Sequence, residues 1–242
     1  MAQTLKIFDS VDELALYFTS LLVARVCETP RDDYFSWVLS GGKTAEQVFG
    51  KMGSSFRNEI PWQKVKIFWG DERCVGPEDA ASNFRSAKET LLDHLPVPPA
   101  NIYRIRGEAG PKAEAERYAE LFNRNVPPVK GIPRADFIML GLGEDGHTAS
   151  IFTSNIHFFT SDKFFEPAEH PVTKQKRITM TGKIINHAKT VVFIATGRAK
   201  ATRTAQIIHR TEGYDLLPAA HVCPAKGELF WLLDRQAAFN LK

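Results

Sequence analysis

The chain has 242 residues, 43% of them hydrophobic, which is enough for a sizeable core and unlike a disordered or collagen-like composition. Lys and Arg total 31 against 28 Asp and Glu, leaving +3; because these charges are interleaved without runs, they argue against nucleic acid or a membrane surface as partner and leave room for a local anion pocket. Cys27, Cys74 and Cys223 form no CxxC pair and no apolar run nears the ~18 residues of a membrane span, so neither a disulfide framework, a zinc cluster nor a transmembrane helix is expected, and a reducing cytoplasm is the simpler location.

Taken in chain order, Val11, Leu14, Ala15, Phe18, Leu21 and Leu22 recur at helical spacing, which predicts a first helix. The run FSWVLSGG reads as a strand that ends in glycines and is followed by the amphipathic AEQVFGKM. A second strand-like run, VKIFWGDER, precedes Ser82 and Asn83, which can cap a helix continuing through Ala87, Leu91 and Leu92. After the turn at Gly110 and Pro111, Lys112 to Asn123 reads as another helix. ADFIMLGLG, KTVVFIATG and ELFWLLD are further strands. Thr153 to Lys176 has no clear period and is expected to be irregular loop or short strands, a candidate flap over a site. This βαβα rhythm predicts a parallel sheet covered by helices, in one large domain or two small ones, with any ligand outside the carboxyl ends of the strands.

Four fragments at those strand ends carry candidate chemistry. Ser40, Gly41, Gly42, Lys43 and Thr44 lie between a strand and a helix, where glycines let backbone amides approach an anion. A capped helix after a tight turn explains the fragment equally well, and Trp37 stands where a Walker A loop needs its first glycine. Asp71, Glu72 and Arg73 follow a buried strand; read alone they are a solvated strand end, and at most Asp71 and Arg73 share a face. Gly141 to His147 formally satisfies GxGxxG, but no second strand ending in an acid follows at the distance a dinucleotide site requires. What remains is a glycine-flanked turn presenting Asp145 and His147 together, and histidine is the side chain suited to proton transfer near neutrality. Gly197, Arg198, Ala199 and Lys200 would place an ammonium at the same sheet edge, or a solvated helix cation. The histidines form no HxxxH or Cys/His cluster, so no metal is expected. Val38 stands where a serine-hydrolase elbow would have glycine.

In combination the fragments are more specific than any one of them. LSGGKTAEQVF, GDERCV with SNFRSAKETLL, GLGEDGHTASIF, RITMT, ATGRAKA, and LPAAHV with WLLDRQAA resemble, in order and spacing, the 6-phosphogluconolactonase family, over about Leu39 to Ala238. The resemblance implies a single α/β domain over 1–242, a mostly parallel sheet with helices on both faces in a Rossmann-like fold of the lactonase/deaminase type, and a cytoplasmic hydrolase of the pentose phosphate pathway that opens 6-phospho-D-glucono-1,5-lactone without a cofactor. It implies His147 as general base, Asp145 as the group that orients or tunes it, and Gly41, Gly42, Thr44, Asp71, Arg73, Asn83, Arg177 and Lys200 as substrate- and phosphate-binding positions. The related glucosamine-6-phosphate deaminases share the acid at Asp71 and the Asp145–His147 turn, but their ring-opening glutamate falls at Phe152 here, where no proton can be exchanged. A non-catalytic sugar-phosphate sensor on the same fold is a further alternative, although binding alone would not need a base. Lys43 and Ala45 replace the Ser and Pro of the family's SGGSTP, and Thr153 the Pro of its SLFP. The oligomeric state is left open, with a monomer sufficient.

Overall fold

A computed structural model of the chain describes residues 2–55 and 57–241. The chain runs β1 (Ala2–Phe8), α1 (Val11–Cys27), β2 (Phe35–Leu39), α2 (Lys43–Ser55), β3 (Val65–Trp69), β4 (Asp71–Arg73) and α3 (Asn83–Thr90). It continues through β5 (Ile102–Tyr103), α4 (Pro111–Asn125), β6 (Pro128–Val129), β7 (Ile132–Pro133), β8 (Phe137–Gly141), β9 (Phe165–Glu169) and β10 (Lys176–Met180). The last elements are α5 (Gly182–Ile185), β11 (Thr190–Ala195), α6 (Ala201–His209) and β12 (Glu228–Asp234).

Seven strands form one parallel sheet in the order β1-β12-β11-β8-β2-β3-β5. All five apolar runs of the sequence are strands of it, and their near-continuous burial is what a parallel sheet covered on both faces requires. Register shows the two covers directly. Phe137, Trp37 and Ile67 lie side by side on one face, and Ile138, Val38 and Phe68 on the other. Phe18 of α1 and Phe49 of α2 pack on Trp37, whereas Phe122 of α4 packs edge-on to Phe68. The helices therefore sandwich the sheet.

From β2 the chain steps to β3 on one side, and from β8 it steps to β11 on the other. The loops after β2 and β8 thus flank the crevice where such sheets take ligands. Gly70 ends the run VKIFW, its N–H bonding Leu39 of β2 and its carbonyl accepting from Met180 of β10. There the chain leaves the large sheet, and β4 joins a small antiparallel sheet, β4-β10-β9. That sheet is seated on α4 through Phe165, which meets Tyr118 and Phe122 edge-on.

Two sequence expectations change. Thr153 to Lys176 is not a flap: it forms a 3-10 segment (Thr153–Phe159), then β9 and the turn into β10, and none of it lines the cleft described below. Asp71 and Glu72 are not a solvated strand end but are almost fully buried, because the helix that follows supplies donors for the Glu72 carboxylate.

Candidate active site

A cleft of about 480 Å³ opens at the carboxyl ends of β2, β8 and β11. Of the positions singled out in the sequence, Gly41, Gly42, Thr44, Asp71, Arg73, Asn83, His147, Arg177 and Lys200 all line it, and Asp145 does not. Asp145 stands behind His147.

The turn after β8 is built to present that histidine. Gly143 N–H bonds the His147 carbonyl at 2.8 Å, Gly146 N–H bonds the Gly143 carbonyl, and Gly146 takes a φ of +89°, a region open to glycine at little cost. Nδ1 of His147 lies 2.5 Å from Oδ1 of Asp145, which also accepts the His147 backbone N–H. Partial burial works to raise the Asp145 pKa, but the hydrogen bond and charge of His147 outweigh it and hold the carboxyl at about 2. With Nδ1 committed to this carboxylate, Nε2 is the ring nitrogen left for the cleft. A β-carbon at Gly143 would overlap both Nδ1 of His147 and the Asp145 carboxylate, so this pair requires glycine there. Behind the ring, Phe152 packs 4.8 Å from the His147 centroid and is itself buried.

The opposite wall comes from β4 and β10. Arg73 and Arg177 are register partners across the antiparallel pair, an arrangement of like charges that is unfavourable unless something negative lies between or beside them. Neither is within ion-pair distance of a carboxylate among the described residues. Arg73 donates to the Ala81 carbonyl and Arg177 to Ser150 Oγ, yet Nε of each is buried without a partner. Two guanidinium groups on residues that line the cleft, neither paired with a carboxylate, are suited to an anion with several oxygens, such as a phosphate.

Glu72 is what holds this wall to the glycine loop. Its carboxylate accepts from the backbone N–H groups of Arg73, Asn83 and Phe84 at 2.7 Å and from Ser82 Oγ at 3.0 Å. Burial raises its pKa, opposed by these bonds. The bonds fix the N-terminus of α3, whose Asn83 donates to the carbonyl and carboxylate of Asp71. Gly41 packs so closely on the Asn83 carboxamide that a β-carbon there would overlap it. Gly42, with φ +100°, then turns the chain into α2, whose first residues line the same cleft and whose first amides have no partner within the helix. Sequence reading set Glu72 aside as facing away from Asp71. A sharper clue was the acid ten residues before a Ser-Asn helix start.

Two cations complete the site. Lys200, directly before α6, has its Nζ 3.9 Å from Oε1 of Glu144 and is largely covered. Its loop is tied down by Gly197 N–H bonds to Asp234 and by the Thr196 hydroxyl, 2.6 Å from that of Thr44. Lys43 lines the cleft mouth and is exposed. Among the described residues, no group of three His, Cys, Asp or Glu side chains is placed to hold a metal ion.

Residues 9–231 match the family described as glucosamine-6-phosphate isomerases/6-phosphogluconolactonase. The chain belongs to this family. A 6-phosphogluconolactonase of Treponema pallidum is 36% identical over 202 residues, 83% of this chain and 82% of the relative. One of Haemophilus influenzae is 37% identical over 201 residues, 82% and 84% of the two chains. The solved 6-phosphogluconolactonase of Trypanosoma cruzi superposes with a TM-score of 0.86 at 26% identity, covering 100% of this chain and 98% of its own. At Phe152, whose ring packs 4.8 Å from that of His147, this site carries no carboxylate.

Proposed function

We propose that the chain hydrolyses 6-phospho-D-glucono-1,5-lactone to 6-phospho-D-gluconate, as the names of its relatives indicate for them. The observation that carries the reading is one cleft lined both by a histidine oriented by a carboxylate and by two neighbouring arginines without a carboxylate partner. His147 Nε2 takes a proton from water, and the resulting hydroxide attacks the lactone carbonyl carbon. The tetrahedral intermediate collapses by breaking the bond from that carbon to the ring oxygen, which takes the proton back from His147. The new carboxylic acid ionises, so one proton is released per turnover. Asp145 fixes the tautomer and stabilises the imidazolium. Arg73 and Arg177 orient the phosphate through their guanidinium donors, while Lys200 neutralises charge. Gly41, Gly42 and Thr44 offer amide and hydroxyl donors, and Asp71 and Asn83 hold the substrate hydroxyl side of the cleft.

Every one of these residues comes from one chain, so a monomer suffices, and the reaction calls for no cofactor, nucleic acid or membrane. We place it in the cytoplasm and read 1–242 as one domain, supported by the pairing of β1 with β12. The test is acid release from fresh 6-phosphogluconolactone with spontaneous hydrolysis subtracted. No release above background, together with ammonia release from glucosamine 6-phosphate, would reverse the assignment. Binding of 6-phosphogluconate with neither activity would point to a sensor.

A further inference from the structure

Ser150 is fully buried and three residues beyond the base, yet none of the roles above involves it. Ala149 before it has a positive φ of 48°, uncommon for a residue with a β-carbon, and reciprocal Thr148 and Ile151 backbone bonds close the turn. The turn drives Ser150 into the β4–β10 ladder. Its N–H donates to Thr179 Oγ1 at 3.1 Å, and its carbonyl accepts from Asn155 Nδ2 at 3.2 Å. Its hydroxyl donates to Asp71 Oδ2 at 2.6 Å and accepts from the Arg177 guanidinium at 3.3 Å. Asp71 lies opposite Thr179, and Arg73 opposite Arg177, on the two paired strands. The one hydroxyl therefore sits between the buried carboxylate and the buried guanidinium of this wall.

The consequence follows from what that hydroxyl prevents. A carboxylate and a guanidinium buried together form a direct bidentate pair when nothing separates them. Here they form none: the guanidinium, which belongs to a residue lining the cleft, donates to Ser150 and, at 3.5 Å, to Gln175 Oε1, and lies 5.7 Å from the Phe152 ring centroid. We propose that Ser150 is a positioning residue for phosphate recognition: its hydroxyl satisfies Asp71 and spaces Arg177 from it, so that the guanidinium is aimed into the cleft as an anion donor. This rests on the lactonase reading for the identity of the anion, but the spacing itself does not depend on which reaction follows.

Removing the hydroxyl should let Arg177 fall onto Asp71 and withdraw it from the cleft. Ser150→Ala is expected to raise KM for 6-phosphogluconolactone by about tenfold, a loss typical of one hydrogen bond to a charged group, with kcat within about twofold of the parent. On unphosphorylated gluconolactone the variant should match the parent, so its preference for the phosphorylated substrate shrinks about tenfold. Titration with inorganic phosphate gives an arm independent of the reaction: the variant should bind it several-fold more weakly. Equal losses on both lactones, or unchanged phosphate affinity, would overturn the proposal and leave Ser150 a packing residue. Failure of the parent on 6-phosphogluconolactone, with weaker phosphate binding by Ser150→Ala, would instead retire the lactonase reading and keep the spacer.

Discussion

The 2.5 Å contact between Nδ1 of His147 and Asp145 sets an imidazole beside a carboxyl that stays ionised. With its carboxyl held at about 2 against an ordinary 3.8, Asp145 binds its proton less readily folded than unfolded. Its contribution to stability is therefore complete above pH ~4 and is lost as the pH falls through about 2. At any working pH it is an anion, so the acid limb of the kcat/KM profile belongs to another group. That limb is expected well above pH 3; one centred near pH 2 would return it to Asp145. His147→Ala should lower kcat by ~10² to 10⁴ with little change in KM, the usual worth of a general base, and a near-normal kcat in a folded variant would remove it from the chemistry. Gly143→Ala tests the setting of the pair: because the added methyl would overlap both partners, kcat should fall by at least ~10² while circular dichroism stays that of the parent. The histidine and its aspartate were legible as a motif. The need for Gly143 was not, since a glycine with nothing unusual in its own φ gives no local signal until its neighbours are placed.

Among the elements, the strands buried on both faces announced themselves, whereas β1 (Ala2–Phe8), an edge strand with Leu5 and Ile7 substantially exposed, did not. The runs that became β2, β3, β8, β11 and β12 are apolar throughout because both faces are covered, and the Ser82 cap and the Gly110-Pro111 start of α4 carry standard boundary chemistry. Strand β4 did not either, for a physical reason: Asp71-Glu72-Arg73 is three charges in a row, and its burial depends on partners brought in by α3, β10 and the turn at Ser150. Glu72 makes that dependence testable. Glu72→Ala removes the acceptor of three backbone N–H groups and a hydroxyl. It should cost about 2 to 4 kcal/mol of unfolding free energy, from orphaned buried donors, and should raise KM through the displaced Asn83 and glycine loop. Chemical denaturation of a variant no less stable than the parent would mean that α3 keeps its position without this cap.

For the molecule as a whole, the cleft draws its walls from the seven-stranded and the three-stranded sheet, so an occupant that bridges them should stiffen the fold and not the site alone. A ligand at ~100 times its Kd adds about 2.7 kcal/mol to unfolding free energy, which for a chain of this size is a Tm rise of roughly 5 to 11 °C. Saturating 6-phosphogluconate should produce that rise in a calorimetric scan, and gluconate at equal concentration little or none. Equal shifts from both would mean that the phosphate wall contributes nothing to binding.

The pairing of β1 with β12 governs how such a chain can be made. Ala2 lies opposite Glu228 and Phe8 opposite Asp234, so a ribosome must deliver everything between β1 and β12 before β1 finds its neighbour. Strands β2, β3 and β5 can associate with α2 and α3 long before then, while β1, with Leu5 and Ile7 still substantially exposed even in the finished fold, waits unpaired. Contacts so distant in sequence make the closing step slow, and during that wait the first strand is the segment most open to pairing with another nascent chain.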